Sequence, residues 1–147
     1  MNQVNPDRLM LRFFLAYFIY TYGGMYRLVG NRYNLSEAHQ MAVRLFSLAY
    51  RMDASYRKAR LDRGVLYWRE LGKVKEALDD FDALLDEDAQ YSAALFNRAM
   101  AYQSCGRFPD AIQDLEDYLQ LESAPADDYY LTAQRNLLLL RGLLADE

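Results

Sequence analysis

Apolar positions between Ser92 and Glu122 fall into two short series. Leu95, Ala99 and Tyr102 step by four and then three, and so do Ala111, Leu115 and Tyr118. That spacing lines one face of an α-helix. Gly106 suits the left-handed residue that ends a helix, and Pro109 suits the first turn of the next. The pattern predicts helices over 92–105 and 109–121, joined as a hairpin. Thirty-four residues upstream the series recurs. Leu61, Val65 and Trp68 match the first triplet, Gly72 matches Gly106, and Ala77, Phe81 and Leu84 match the second. Helices are predicted there over 56–71 and 73–87.

Earlier in the chain the register weakens. Ser36 suits an N-cap, and Ala38, Met41, Ala42, Leu45, Ala49 and Met52 then line one side of an amphipathic helix, with Gln40, Arg44, Ser47 and Arg51 on the other. Ala42, Phe46 and Ala49 precede Ala77, Phe81 and Leu84 by 35 residues, as the second helix of an earlier, degenerate repeat would. Gly23-Gly24, Gly30-Asn31 and Asn34 make residues 23–35 a predicted connection. Met1–Pro6 reads as a loose arm, and Pro6-Asp7 as a helix start.

From Leu9 to Tyr22 only Arg12 and Thr21 are clearly polar, and apolar groups fall on every side. A helix of that kind is buried in protein or in a bilayer. Three readings stay open: burial against the following helices of the same chain, contact with another chain, or a membrane. The run falls short of the roughly 18 to 20 apolar residues of a span. Pro125 breaks the chain, and 126–145 reads as a final helix. Tyr129 and Ala133 continue the register of Leu95 and Ala99, but Asn136 and Leu140 stand where an aromatic and a glycine would follow. The helix is therefore expected to run on as a cap. The chain divides into 1–35 (apolar helix and Gly-rich connection), 36–55 (second helix of a degenerate repeat), 56–90 and 91–124 (two hairpin repeats) and 125–147 (capping helix).

Composition narrows the function. With 147 residues, 52% hydrophobic and 26% charged, the chain is globular and large enough for a core without staples. One cysteine, Cys105, excludes an internal disulfide and fits a reducing, cytoplasmic setting; a peripheral membrane location is the alternative. One histidine, His39, leaves no His-centred triad or metal site and reads as a bystander. The acidic groups Asp79-Asp80-Asp82 and Asp110, Asp114, Glu116 and Asp117 follow helical spacing without a calcium-loop pattern and read as solvated helix faces. No catalytic constellation, metal site or cofactor is implied. Residues 1–60 carry nine Lys/Arg against three Asp/Glu, and residues 61–147 carry eight against eighteen. The acidic part repels phosphates, so no nucleic-acid partner is expected, while the opposed ends allow self-association.

The paired series, with turn glycine and following alanine in both copies, resemble the tetratricopeptide repeat (TPR) family over residues 58–122, whose period is 34 residues. The resemblance implies an all-α fold: a short α-solenoid of antiparallel helix hairpins, about three repeats, with an apolar N-terminal helix and a C-terminal cap. It further implies a non-enzymatic module that holds a peptide segment or helix of a partner protein in a concave groove lined by the first helix of each pair. Carried over by position, the groove residues are Asp62, Arg63, Leu66 and Arg69, then Phe96, Asn97, Met100 and Gln103, then Tyr130, Leu131 and Gln134. Some TPR domains clamp the terminal carboxylate of chaperone tails with lysine, asparagine and arginine. Only Asn97 fits; Asp62 and Asp127 stand where cations are wanted, and Leu66 and Leu131 fill other clamp places, so that ligand is not expected. The alternative is a structural subunit of a membrane-associated assembly, docked through residues 9–26 with Phe13, Phe14, Tyr17 and Phe18 in contact with lipid or an integral membrane protein.

Overall fold

A computed structural model describes residues 6–121 and 128–145. The expected N-terminal arm over residues 1–5 and the break at Pro125 lie outside them. The described chain forms seven α-helices: α1 (Pro6–Tyr33), α2 (Ser36–Met52), α3 (Arg57–Arg69), α4 (Val74–Glu87), α5 (Ser92–Ser104), α6 (Phe108–Gln120) and α7 (Asp128–Ala145). Two compact units divide them at Lys73.

In the first unit the predicted connection over 23–35 is absent. Helix α1 runs unbroken for 28 residues through both glycine sites, and the turn is confined to Asn34, in the left-handed region at φ 51°, and Leu35. The glycines serve proximity instead. A Cβ on Gly23 would lie 2.8 Å from Cε1 of Phe46, and one on Gly30 would lie 2.3 Å from Cδ2 of His39. These two contacts run in opposite directions along α1 and α2, so the helices are antiparallel. Ser36 is not the cap: Leu35 holds that place, and no side chain caps the helix. His39 is not a bystander either. It is buried between the helices, with Nε2 2.8 Å from Oδ1 of Asn31.

Ala42, Phe46 and Ala49 of α2 meet Ala16 of α1 and Ala59 and Leu66 of α3 in the unit's core. Tyr20 packs on Phe46 (centroids 5.3 Å) and on Tyr56 (5.1 Å). Asp62, expected to face a groove, is buried instead. The Tyr20 hydroxyl donates to its Oδ2 at 2.5 Å, and Arg27 and Lys58 stand at 3.6 and 3.5 Å. Burial, then the bond to Asp62, drives the Tyr20 phenol far above its ordinary pKa.

Burial of Leu9–Tyr22 within the chain is not what the structure shows. Helix α2 has 17 residues against the 28 of α1 and ends well short of the start of α1. Ala16 is buried and Ile19 and Tyr20 are half-buried, but Phe13, Phe14, Tyr17 and Phe18 are exposed. Among the described residues no helix is long and apolar enough to cross a membrane.

The second unit follows the predicted series closely. Ala77, Phe81 and Leu84 of α4, Leu95, Ala99 and Tyr102 of α5, and Ala111, Leu115 and Tyr118 of α6 are all buried. Gly106 takes the left-handed turn at φ 77°, as Gly72 of the first unit does at φ 64°, and Pro109 lies in the first turn of α6. Helix α7 closes α6 with Ala133, Leu137 and Leu140 and leaves Leu138 and Leu139 exposed.

The two adjacent glycines of α1 are expected to respond with opposite sign. Gly24 has open space where a Cβ would sit, so Gly24→Ala should stabilise by about 0.5–1 kcal/mol through helix propensity. Gly23→Ala meets Phe46 and Leu45 and should destabilise by about 1–2 kcal/mol net, overpacking outweighing propensity. Urea titrations of both variants test the pair.

Candidate partner-binding face

Helix α5 is fixed by charge on one side and by apolar packing on the other. Arg98 donates from Nε and Nη2 to the two oxygens of Asp114 on α6, at 2.8 and 2.7 Å, and from Nη1 to Asp82 on α4 at 2.7 Å. The bidentate fork sets the rotation of α5 against both neighbours. Asp114 and Asp82 are therefore structural anchors rather than members of solvated faces. The two ends of the pair titrate differently. Hydrogen bonding to Asp114 raises the Arg98 pKa. Burial pushes the Asp114 carboxyl above its ordinary value, although Arg98 pulls the other way. The carboxylate is the more deeply buried partner, so its desolvation outweighs the attraction.

With that rotation fixed, Phe96 turns inward. It is 8% exposed, tilted on Tyr118 (5.6 Å) and edge-on to Tyr129 of α7 (5.2 Å). Asn136 Nδ2 lies 3.3 Å from Sδ of Met100. These two contacts seat α7 beside α5. Asn97, Met100 and Gln103 are half-buried along α5; on α7 Tyr130 is half-buried and Gln134 is exposed. The Asn97 amide donates to the Ala93 carbonyl at 2.7 Å, which leaves its side-chain oxygen as an acceptor. The resulting face alternates apolar and amide groups, and Tyr129, 61% exposed, forms part of it. Tyr129 and Asn136 were readable as register positions of α7 but not as the pair that joins it to α5.

The remaining candidates lie in the first unit on α3. Leu66, 1% exposed, is core and offers a partner no surface; its place on the helix matches that of Met100, but here α2 covers it. Arg63 donates from Nη1 to the Ser47 hydroxyl on α2 at 2.8 Å. Arg69 is exposed, with its guanidinium 5.4 Å from the Trp68 ring. Among the described residues no group of His, Cys, Asp and Glu is arranged to hold a metal.

No protein-family model and no curated protein matches the chain. Solved structures do. The first TPR domain of Spaghetti (RPAP3), bound to an HSP90 peptide SRMEEVD, superposes with a TM-score of 0.64 at 22% identity, over 84% of this chain and 93% of that one. The second TPR domain of human RPAP3, in complex with an HSP70 peptide SGPTIEEVD, gives 0.60 at 23%, over 79% and 92%. The fold is that of tetratricopeptide repeat domains. A tetratricopeptide repeat protein from Parabacteroides merdae gives 0.69 at 23%, over 86% of this chain and 46% of that one. In TPR terms α5 is the first helix of its repeat, and α7 stands where the next first helix would.

Arg98→Met should cost about 3–5 kcal/mol near pH 7, because it leaves the Asp114 carboxylate buried without its cation. Asp114 already has a raised folded-state pKa, so its contribution is favourable below the unfolded value and is lost as pH rises through the folded one. Removing Arg98 raises that value further. The deficit of the variant should therefore shrink as pH falls from about 7 toward about 4.5, which urea melts at the two pH values would measure.

Proposed function

We propose that this chain is a non-enzymatic protein-interaction module, and that the α5–α7 face holds a short peptide segment or helix of a partner protein. The observation that carries this reading is the face itself. Met100, Tyr129 and Tyr130 supply apolar and aromatic contact, and Asn97, Gln103 and Gln134 supply amides between them. The Arg98 fork and the Phe96 contacts hold that surface rigid before any partner arrives, which lowers the ordering cost of binding. Aromatic anchors with interleaved amides suit a peptide whose side chains alternate between apolar and polar. The RPAP3 domains of the same fold hold peptides, which supports the class of ligand. The exposed Cys105 fits a reducing, cytoplasmic setting.

The ligand differs from those chaperone peptides in charge. Both end in Glu-Glu-Val-Asp, and a terminal carboxylate needs cations facing it. Arg98, the cation of α5, is committed to Asp82 and Asp114. Leu131 occupies another clamp place. The exposed Phe13, Phe14, Tyr17 and Phe18 favour a second docking element over residues 9–26, independent of this face.

Fluorescence anisotropy with labelled SRMEEVD should show no saturation below about 1 mM. Peptides selected from a display library on the full chain should lose about ten-fold in affinity or more with Met100→Glu or Tyr130→Ala, about 1.4 kcal/mol or more. Selected peptides that bind both variants as tightly as the parent chain would sink the assignment to this face.

A further inference from the structure

Helix α1 carries a second, unoccupied seam on the side away from α2. Leu11, Phe14, Phe18, Thr21, Met25 and Leu28 step by three and four without a break, the spacing of coiled-coil core positions. All six are exposed, and the five apolar ones lie between 51% and 66%. One step beyond each end the same spacing reaches Asp7 and Arg32, also exposed. The glycines that admit α2 fall on the opposite side of the helix, so no helix of the unit covers this line.

We infer that the occupant of the seam is the α1 helix of a second copy, lying antiparallel across a two-fold axis. Three observations select it. The first is charge. Antiparallel pairing about the midpoint of the seam sets Asp7 of one copy opposite Arg32 of the other, twice, whereas parallel pairing opposes like charges. The second is register. The same midpoint sets Leu11 opposite Leu28, Phe14 opposite Met25 and Phe18 opposite Thr21, so apolar meets apolar along the seam and the one hydroxyl lies near the axis. The third is area. With its flanking Met10, Tyr17, Tyr22 and Val29, the seam offers on the order of 1,000 Å² per copy, from side chains of about 200 Å² each that are roughly half exposed. A stable specific interface takes about 800 Å² per partner.

A lipid surface fits the line less well. Interfacial helices carry cations along the edges of their apolar side. Here Arg8 and Arg12 lie toward the α2 side, and an acid stands on the exposed line itself. The inference concerns α1 alone and is independent of the α5–α7 face.

The test is sedimentation equilibrium of the full chain without detergent, with circular dichroism on every variant. A dimer is expected. Asp7→Arg and Arg32→Asp should each raise its dissociation constant about ten-fold, since every reversal acts at two symmetric pairs. The double variant D7R/R32D should restore it to within about three-fold of the parent. Phe18→Glu should yield a monomer of unchanged helicity. A full chain that stays monomeric at about 100 μM overturns the proposal. So does a dimer in which the double reversal fails to restore what the single ones lose. Co-sedimentation of a monomeric chain with phosphatidylcholine–phosphatidylglycerol vesicles, abolished by Phe18→Glu, would assign the seam to lipid and overturn it equally.

Discussion

The first unit depends on how closely α1 can approach α2. Two glycines one heptad apart remove the side chains that would hold the helices apart, and Phe46 and His39 fill the space. Dispersion falls off within an ångström of contact, so small residues at a crossing are worth more than their own area suggests. Close approach also fixes the rotation of α1. With Gly23 and Gly30 turned inward, Tyr20 and Arg27 are carried toward Asp62 of α3. The Leu11–Leu28 line is carried out into solvent. One helix thus has two seams back to back, and for that reason its sequence is apolar on every side.

Buried carboxylates recur in both units. Asp62 is held by a phenol and two cations, and Asp114 by the forked guanidinium of Arg98. Such clusters gain little net stability over apolar packing. What they add is geometric: a fork satisfied at one rotation of a helix is broken at another. In the second unit the same rotation that satisfies Arg98 turns Phe96 under Tyr129 and leaves Asn97, Met100 and Gln103 along the outer face, the one proposed to hold a partner.

Much of the architecture was legible because helical packing repeats in sequence. Ala77, Phe81, Ala111 and Leu115 sit in the core where the 34-residue series predicted apolar contacts. What failed to read through was context. A glycine that breaks a helix in solvent and a glycine that admits a neighbour are the same letter, so Gly23 and Gly30 read as a connection in the sequence and stand inside a helix in the fold. Asp82 and Asp114 look like solvated acids in the sequence because Arg98, which holds both, lies 16 residues away on another helix. Leu66 had the place of a groove residue but lies under α2. The exposed line of α1 was hidden by its own surroundings, since a 4-3 pattern is visible only when the other faces are polar.

Within each unit, apart from the Asp62 cluster and the Phe96–Tyr129 and Asn136–Met100 contacts, each helix rests mainly on its sequence neighbours in that unit. Chains wired this way close only short loops as they fold, and short loops form fast. The α1–α2 hairpin is the most local of these pieces: a single left-handed residue, Asn34, reverses the chain. It can therefore assemble as soon as both helices have been synthesised, before any of the second unit exists. An exposed apolar line on this hairpin would then be available to meet its match before the second unit has been made.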